Sequence, residues 1–496
     1  MKHSKILSML LLAAATLLTV TGCGSDDPDD TPSIPVQVGT PVITNVQYTS
    51  AEVSVTVNGD GITERGILYA TTKGFDAQAA FKVISPTNNF KVNLSGLDEG
   101  TTYYVKAYAL KGSEAVYSSE QSFTTLKQEP APAPTGKLVG GDISLLTKYE
   151  EHGAIYSDKD GHNLKQKYGD NYLLKFFKEQ GMNTMRVRLF VDPSRASTEA
   201  KGQGVCQDLE YVKALGKRIK DAGFQFMLDF HYSDTWADPE HQAVPNLFTT
   251  VNTPAWEYIY TYTKEALQAL VAAGATPDLI QTGNEISFGM LWDGGRLYPK
   301  SSNDWSAYAD TNWDNFSTAL KNAGKACREV CPEAKIILHT EQIANASLLA
   351  DFYQRAGQNG VDYDVIGLSY YPYYHGNLET VDATLTSLEN KFSSKEIMIV
   401  ETGYYHKYQP EDVKYNYSSY FPITETGQKN FATSLITILN ANHPRVTGLF
   451  WWMMEANEYG LDWNTQRVTK DWYNASLFDN ESGKALPALY ELQNFK

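Results

Sequence analysis

A chain of 496 residues with 42% hydrophobic and 12% aromatic side chains has more material than one small domain needs and enough apolar surface for a sizeable core. The formal charge of −16 argues against a nucleic-acid partner, because phosphate binding relies on Lys and Arg neutralising the backbone. It equally disfavours a polyanionic substrate, so a neutral ligand is expected, and the 32 Tyr and nine Trp offer flat rings of the kind that stack on sugar C–H faces.

The chain begins Met1-Lys2-His3-Ser4-Lys5, continues through an apolar run from Ile6 to Val20, and reaches small residues before Cys23. This is the pattern of an export signal over 1–22, and it resembles a bacterial lipobox, which implies lipidation of Cys23 and anchorage without a spanning helix. Ser25-Asp26-Asp27-Pro28-Asp29-Asp30 follows, so 23–37 is expected to be an acidic tether. It is similar to the acidic address of lipoproteins carried to the outer face of the Gram-negative outer membrane. Cys206, Cys327 and Cys331 cannot all pair, and the Cys-x3-Cys spacing lacks a second ligand pair, so no metal site is read there.

From 38 to 126 the text alternates with a period of two in short runs, as in Ala51 to Val57, Gly66 to Tyr69 and Phe90 to Leu94. Such runs predict a small antiparallel sandwich. Leu97 to Ala107 resembles the tyrosine-corner stretch of fibronectin type III domains, with Tyr103 in the corner; a spacer is the preferred role. Residues 127–136, which include Pro130, Pro132 and Pro134, read as an extended linker.

Beyond the linker, amphipathic helices precede short apolar strands. Strands are expected near 138–143, 183–191, 224–230, 278–284, 335–340, 364–369, 396–401 and 446–452, with a helix from Asp170 to Gln180 and another carrying Leu209, Val212, Leu215 and Ile219 on one face. Eight such units over 137–496 predict an α/β fold, a (β/α)8 TIM barrel working at the C-terminal tips of its strands. Glu285 ends the fourth strand and Glu401 the seventh. Two carboxylates meeting at one mouth are the equipment for glycosidic bond cleavage.

Several stretches of the barrel resemble the endo-β-1,4-galactanases, also called arabinogalactan endo-β-1,4-galactanases, a family of retaining glycoside hydrolases. They include Gly140-Gly141-Asp142-Ile143-Ser144, Met185 to Pro193, Asp229 to Pro239, Gly283-Asn284-Glu285-Ile286, Gly367 to Pro372 and Glu401-Thr402-Gly403-Tyr404. The resemblance implies hydrolysis of the galactan side chains of plant pectin, with Glu285 as acid/base and Glu401 as nucleophile about 5–5.5 Å apart. It assigns a second-strand arginine to the nucleophile's carboxylate, and Arg188, nearer the tip than Arg186, is the one expected.

Asn284 is expected to hold the sugar 2-hydroxyl. His231, Trp236 and Asp238 are read as hydrogen-bonding and stacking groups rather than metal ligands together with Asp234 and His241. Asp142, Trp292, Tyr371, His375 and Trp452 complete the expected cleft, with Trp451 as packing. Some bacterial relatives bind calcium after the seventh strand, but Tyr404 to Asp412 lacks alternating oxygen ligands, so no cofactor is expected to be required. The protein is expected to act as a monomer. The competing readings are another neutral β-1,4-glycanase, a mannanase or xylanase, and a surface glycan-binding protein without catalysis.

Overall fold

A computed structural model of the chain describes residues 33–47, 50–98, 100–126, 136–409, 413–469 and 473–496. The expected signal segment, Cys23, most of the tether and nearly all of the linker lie outside these residues. The chain divides into two compact units. In the N-terminal unit, strands Gln37–Val38, Ser50–Asn58, Val42–Thr44 and Asn89–Ser95 form one sheet. Strands Phe81–Ile84, Glu64–Ala70, Thr102–Lys111, Glu114–Tyr117 and Gln121–Thr124 form a second, antiparallel sheet. Burial alternates along Ser50–Asn58, with Ala51, Val53, Val55 and Val57 inward, as a half-buried strand requires.

The second unit contains eight parallel strands: β1 (Leu138–Asp142), β2 (Thr184–Leu189), β3 (Gln225–Phe230), β4 (Leu279–Thr282), β5 (Lys335–Thr340), β6 (Val365–Tyr370), β7 (Glu396–Thr402) and β8 (Val446–Trp451). They close into a barrel in sequential order, with β8 pairing β1. Helices between them are capped locally; Asp208 accepts from the Tyr211 amide at 2.8 Å to begin Leu209–Asp221, and Gly223, at φ 77°, turns the chain after it. The helix expected to start at Asp170 is instead Tyr172–Glu179, with Asn171 at its cap in a left-handed conformation.

Side chains pointing into the barrel fall into two layers. Met227, Leu279, Ile337, Val365, Met398, Val400 and Phe450 form a buried apolar plug. Two residues further toward the C-terminal tips, the same parity delivers Asp229, Gln281 and His339, and four residues beyond Val365 it delivers Ser369; all four are buried. The plug therefore forms a dry floor, and the polar groups above it form the base of the mouth.

Parity alone would turn Glu401 outward, since Met398 and Val400 both face the plug. The pairing of β6 with β7 runs Leu368 to Ile399 and then Ser369 to Glu401, so Val400 is an extra residue in the ladder. That bulge returns the next side chain to the interior and puts Glu401 beside Ser369. Gly367 lies opposite, where a Cβ would come within 2.6 Å of Ile337 Cγ2.

Because the plug is close-packed, Phe450→Ala should cost about 3–5 kcal/mol of stability. Urea unfolding followed by tryptophan fluorescence measures it, and the folded mutant should keep its activity because no plug residue reaches the mouth.

Candidate active site

At the C-terminal tips the chain surrounds a cavity of about 790 Å³. Its lining includes Glu285 and Glu401, which arrive there by different local devices. Glu401 is carried in by the bulge in β7. Glu285 follows β4 by three residues and adopts a left-handed backbone at φ 47°, just after Gly283 at φ 115°. A non-glycine residue in that conformation costs on the order of 1 kcal/mol, and the turn is held by Gln242, whose amide donates to the Asn284 carbonyl at 2.8 Å.

Arg186 lies beneath both and is fully buried. Its Nε donates to Gln281 Oε1 at 2.6 Å, Nη1 to Asp142 Oδ2 at 3.0 Å, and Nη2 to Asp229 Oδ2 at 2.8 Å and Asn284 Oδ1 at 2.9 Å. The same Nη2 pairs with Glu401 Oε1 at 2.8 Å, and Tyr371 donates its hydroxyl to Glu401 Oε2 at 3.0 Å. The partner of Glu401 is thus Arg186 and not Arg188. Arg188, one pleat nearer the tip, turns to Asp142 Oδ1 at 2.9 Å and stacks between Trp236 at 4.7 Å and Trp452 at 5.0 Å. The depth at which an arginine meets a carboxylate across a closed barrel depends on strand stagger, which distance from the tip does not report.

Of the residues expected in the cleft, Trp236, Asp238, Asn284, Tyr371, His375 and Trp452 line the cavity with the two glutamates. Four others do not. Arg188 and Asp142 lie below the lining as an ion pair, and His231 is buried with Nε2 3.1 Å from Asp229 and Nδ1 accepting from the Ala237 amide at 3.0 Å. Trp292 belongs to the loop after β4, donates to the Phe288 carbonyl at 2.9 Å, and is covered by the Arg296 guanidinium at 4.1 Å. Trp451 is packing, its indole donating to the Ala475 carbonyl at 2.7 Å.

Asp238 pairs with His241 at 2.9 Å, and Asp234 accepts from the amides of Asp192 and Asn246. Among the described residues these groups form no three-ligand cluster with His231. Such a cluster among the described residues, Asp158, Asp160 and His162, lies outside the cavity lining, with Lys159 paired to Asp160 at 2.8 Å. Tyr404 to Gln409 belong to the described residues, and 410–412 do not.

Glu341, at the tip of β5, also lines the cavity and is buried; Gln342 donates to its Oε1 at 2.8 Å. Ser369, on β6, donates to Glu285 Oε1 at 2.6 Å. Sequence reasoning passed over both, although His339-Thr340-Glu341 closes an apolar strand in the same manner that marked Glu285.

The charges of the two glutamates are sorted by these neighbours. Glu401 is raised to about 7, burial being the largest cause and Asp229 and Asp142 adding to it, against the pull of Arg186 and the Tyr371 hydroxyl. Burial, then the negative charges of Glu401 and Glu341, push Glu285 well above the usual carboxylate range, and no cation pairs with it among the described residues. Glu401 is therefore the more acidic of the pair, and their shared proton resides on Glu285. Burial would raise Asp229 as well, yet Arg186 and His231 hold it down at about 2. The arrangement provides one anion and one acid facing a common space.

The sequence profile of glycosyl hydrolase family 53 matches residues 138–492. The chain belongs to glycosyl hydrolase family 53. It is 31% identical over 328 residues to an arabinogalactan endo-β-1,4-galactanase of Thermothelomyces thermophilus, covering 63% of this chain and 88% of the relative. It is 26% identical over 391 residues to an endo-β-1,4-galactanase of Bacillus subtilis, covering 72% and 85%. Among solved structures, the family 53 catalytic domain of Ignisphaera aggregans superimposes with a TM-score of 0.61 at 30% identity, covering 74% of this chain and 99% of that one. A structure of fungal β-1,4-galactanases gives 0.58 at 28% identity, with 72% and 99% covered. As a family 53 member the chain is a glycoside hydrolase, and the matched span coincides with the barrel.

Glu341→Gln removes a negative charge beside Glu285 and should lower the Glu285 pKa. The effect should appear only where Glu341 is ionised, above its own value of about 7. Carboxyl-stretch difference infrared titration of the two proteins measures it.

Proposed function

We propose that the chain hydrolyses internal β-1,4-galactosidic bonds of galactan, the neutral side chain of plant pectin, by a retaining double displacement. The observation that carries the reading is the asymmetric pair: a buried Glu401 and a partly buried Glu285 in one cavity, of which Arg186 touches only Glu401.

In the first step Glu401 Oε2 or Oε1 attacks the anomeric carbon while Glu285 gives its proton to the departing glycosidic oxygen, forming a galactosyl ester. Esterification removes the charge of Glu401, one of the two largest carboxylate contributions raising Glu285, so the Glu285 pKa falls. Glu285 can then take a proton from water as that water attacks the anomeric carbon, breaking the bond to the Glu401 oxygen and restoring both groups. Asn284 has its Oδ1 on Arg186 and its Nδ2 on the Ala237 carbonyl at 2.8 Å, so its amide is fixed at the cavity wall where a sugar 2-hydroxyl would lie. Trp236 and Trp452 supply ring faces against the sugar, held by Arg188 between them.

Galactan rather than mannan or xylan is favoured by the names of the Thermothelomyces thermophilus and Bacillus subtilis relatives. A glycan-binding protein would not need the charge asymmetry, which serves proton transfer. Reducing-sugar release should occur from β-1,4-galactan and not from mannan or xylan, and proton NMR of the first products should show the β-anomer. Turnover on mannan alone would contradict the substrate, and an initial α-anomer the mechanism. Glu285→Ala should lower kcat on galactan by about 10²–10⁴-fold, the usual worth of a general acid.

The N-terminal unit is proposed to be a fibronectin type III-like spacer, supported by its two antiparallel sheets and the Leu97 to Ala107 stretch. Residues 1–22 are proposed as a lipoprotein signal and Cys23 as the lipidated residue, placing the enzyme on the outer face of a Gram-negative outer membrane, where polymeric substrate is met. Metabolic labelling with an alkyne fatty acid should tag the wild type, and Cys23→Ala should abolish the label and release the protein from the membrane fraction.

A further inference from the structure

We infer that His339 and Ser369 are positioning residues that reserve Oε1 of Glu285 as a hydrogen-bond acceptor and so leave the acid proton on Oε2, toward the sugar. The inference rests on the assignment of Glu285 as acid/base.

The direction of each bond follows from its neighbour. The Glu285 backbone amide can only donate, and it points at His339 Nδ1 at 3.4 Å. His339 is fully buried, and burial together with the Arg186 charge holds its pKa well below the ordinary imidazole value, so the ring is neutral. A neutral ring whose Nδ1 accepts carries its hydrogen on Nε2. That nitrogen is 2.8 Å from Ser369 Oγ, which therefore accepts from it. With a lone pair so occupied, Ser369 directs its single hydroxyl hydrogen to Glu285 Oε1 at 2.6 Å.

An oxygen that accepts a short hydrogen bond is the poorer place for the acid proton. Glu285 lines the cavity, and its other oxygen, Oε2, is assigned to the side that meets the sugar. The chain from His339 through Ser369 thus decides which oxygen is the acid before substrate arrives. It also stabilises the carboxylate form, which the second step needs when Glu285 acts as base. The charged groups facing Glu285 come from other elements: Glu401 on β7, Glu341 after β5 and Asp238 after β3, all of which raise its pKa. Those facing His339 are Arg186 on β2, Asp229 on β3 and His231 just after β3. Ser369 is the side chain that donates to Glu285 Oε1.

The test is the pH profile of kcat/KM on a galacto-oligosaccharide. Removing a donor to the carboxylate raises the Glu285 pKa, so the protonated acid persists to higher pH. Ser369→Ala should move the alkaline limb upward by about one pH unit. His339→Gln, which can keep an N–H near the Nε2 position, should leave the limb close to wild type, while His339→Ala should move it in the same direction as Ser369→Ala. If Ser369→Ala does not fold, Ser369→Cys, a weaker donor, should give the same sign of shift. An alkaline limb that stays in place or moves down in the folded Ser369 variant overturns the inference, whatever happens to the rate. The underlying assignment is checked separately with Glu285→Ala on a 2,4-dinitrophenyl β-galactobioside. Azide should restore turnover and yield a β-galactosyl azide; failure there would count against Glu285 as acid/base, and not against the hydrogen-bond chain alone.

Discussion

A single buried guanidinium organises the mouth of this barrel. Arg186 touches Asp142, Asp229, Gln281, Asn284 and Glu401, so five strands or strand tips share one cation. Burying a charge is costly unless it is paired and hydrogen-bonded, and here the pairing is what converts two chemically identical carboxyls into an anion and an acid. The cation reaches Glu401 and stops there. Glu285, left with a hydroxyl donor and the acidic neighbours Glu401, Glu341 and Asp238, retains the proton. The proposed double displacement uses that difference in each half-reaction.

The geometry that brings the groups together is a departure from regular strand structure on each side. A one-residue bulge at Val400 turns Glu401 inward, and a left-handed residue after Gly283 turns Glu285 out of the β4 direction. Both departures sit at or above the upper edge of a close-packed plug, of which Val400 is itself a member. Regular packing below and irregular backbone above are complementary: the plug supplies the stability that lets the tips hold conformations of higher energy. Ser369, paired in register with Glu401 and bonded to Glu285, stands where the two irregularities meet.

Much of this was readable in the sequence, and the parts that were not share a physical cause. The eight strands and their order follow from apolar runs separated by amphipathic helices, because period and length are local properties. Glu285 and Glu401 stood out because each ends an otherwise apolar strand. Arg186 and Arg188 could be placed in the interior by parity, but which of them meets Glu401 depends on how strands are staggered around a closed sheet. Val400 reads as an ordinary member of Ile397 to Val400, so its bulge, and the inward turn of Glu401, are invisible without the ladder. Asp142 and His231 are polar residues at strand tips, which suggested a cleft; they lie one layer lower, holding the arginines and Asp229. Glu341 carried the same strand-end signal as Glu285 and was passed over.

The central claim is that Arg186 makes Glu401, and no other carboxyl of the cavity, the anion that attacks the sugar. Trapping with a 2-deoxy-2-fluoro β-galactobioside bearing a dinitrophenyl leaving group, followed by peptide mass spectrometry, reads this directly, because the fluorine slows breakdown of the glycosyl ester. The label should sit on Glu401. A label on Glu285 or Glu341, or a failure to form any ester while the leaving group is released in a burst, would contradict the account.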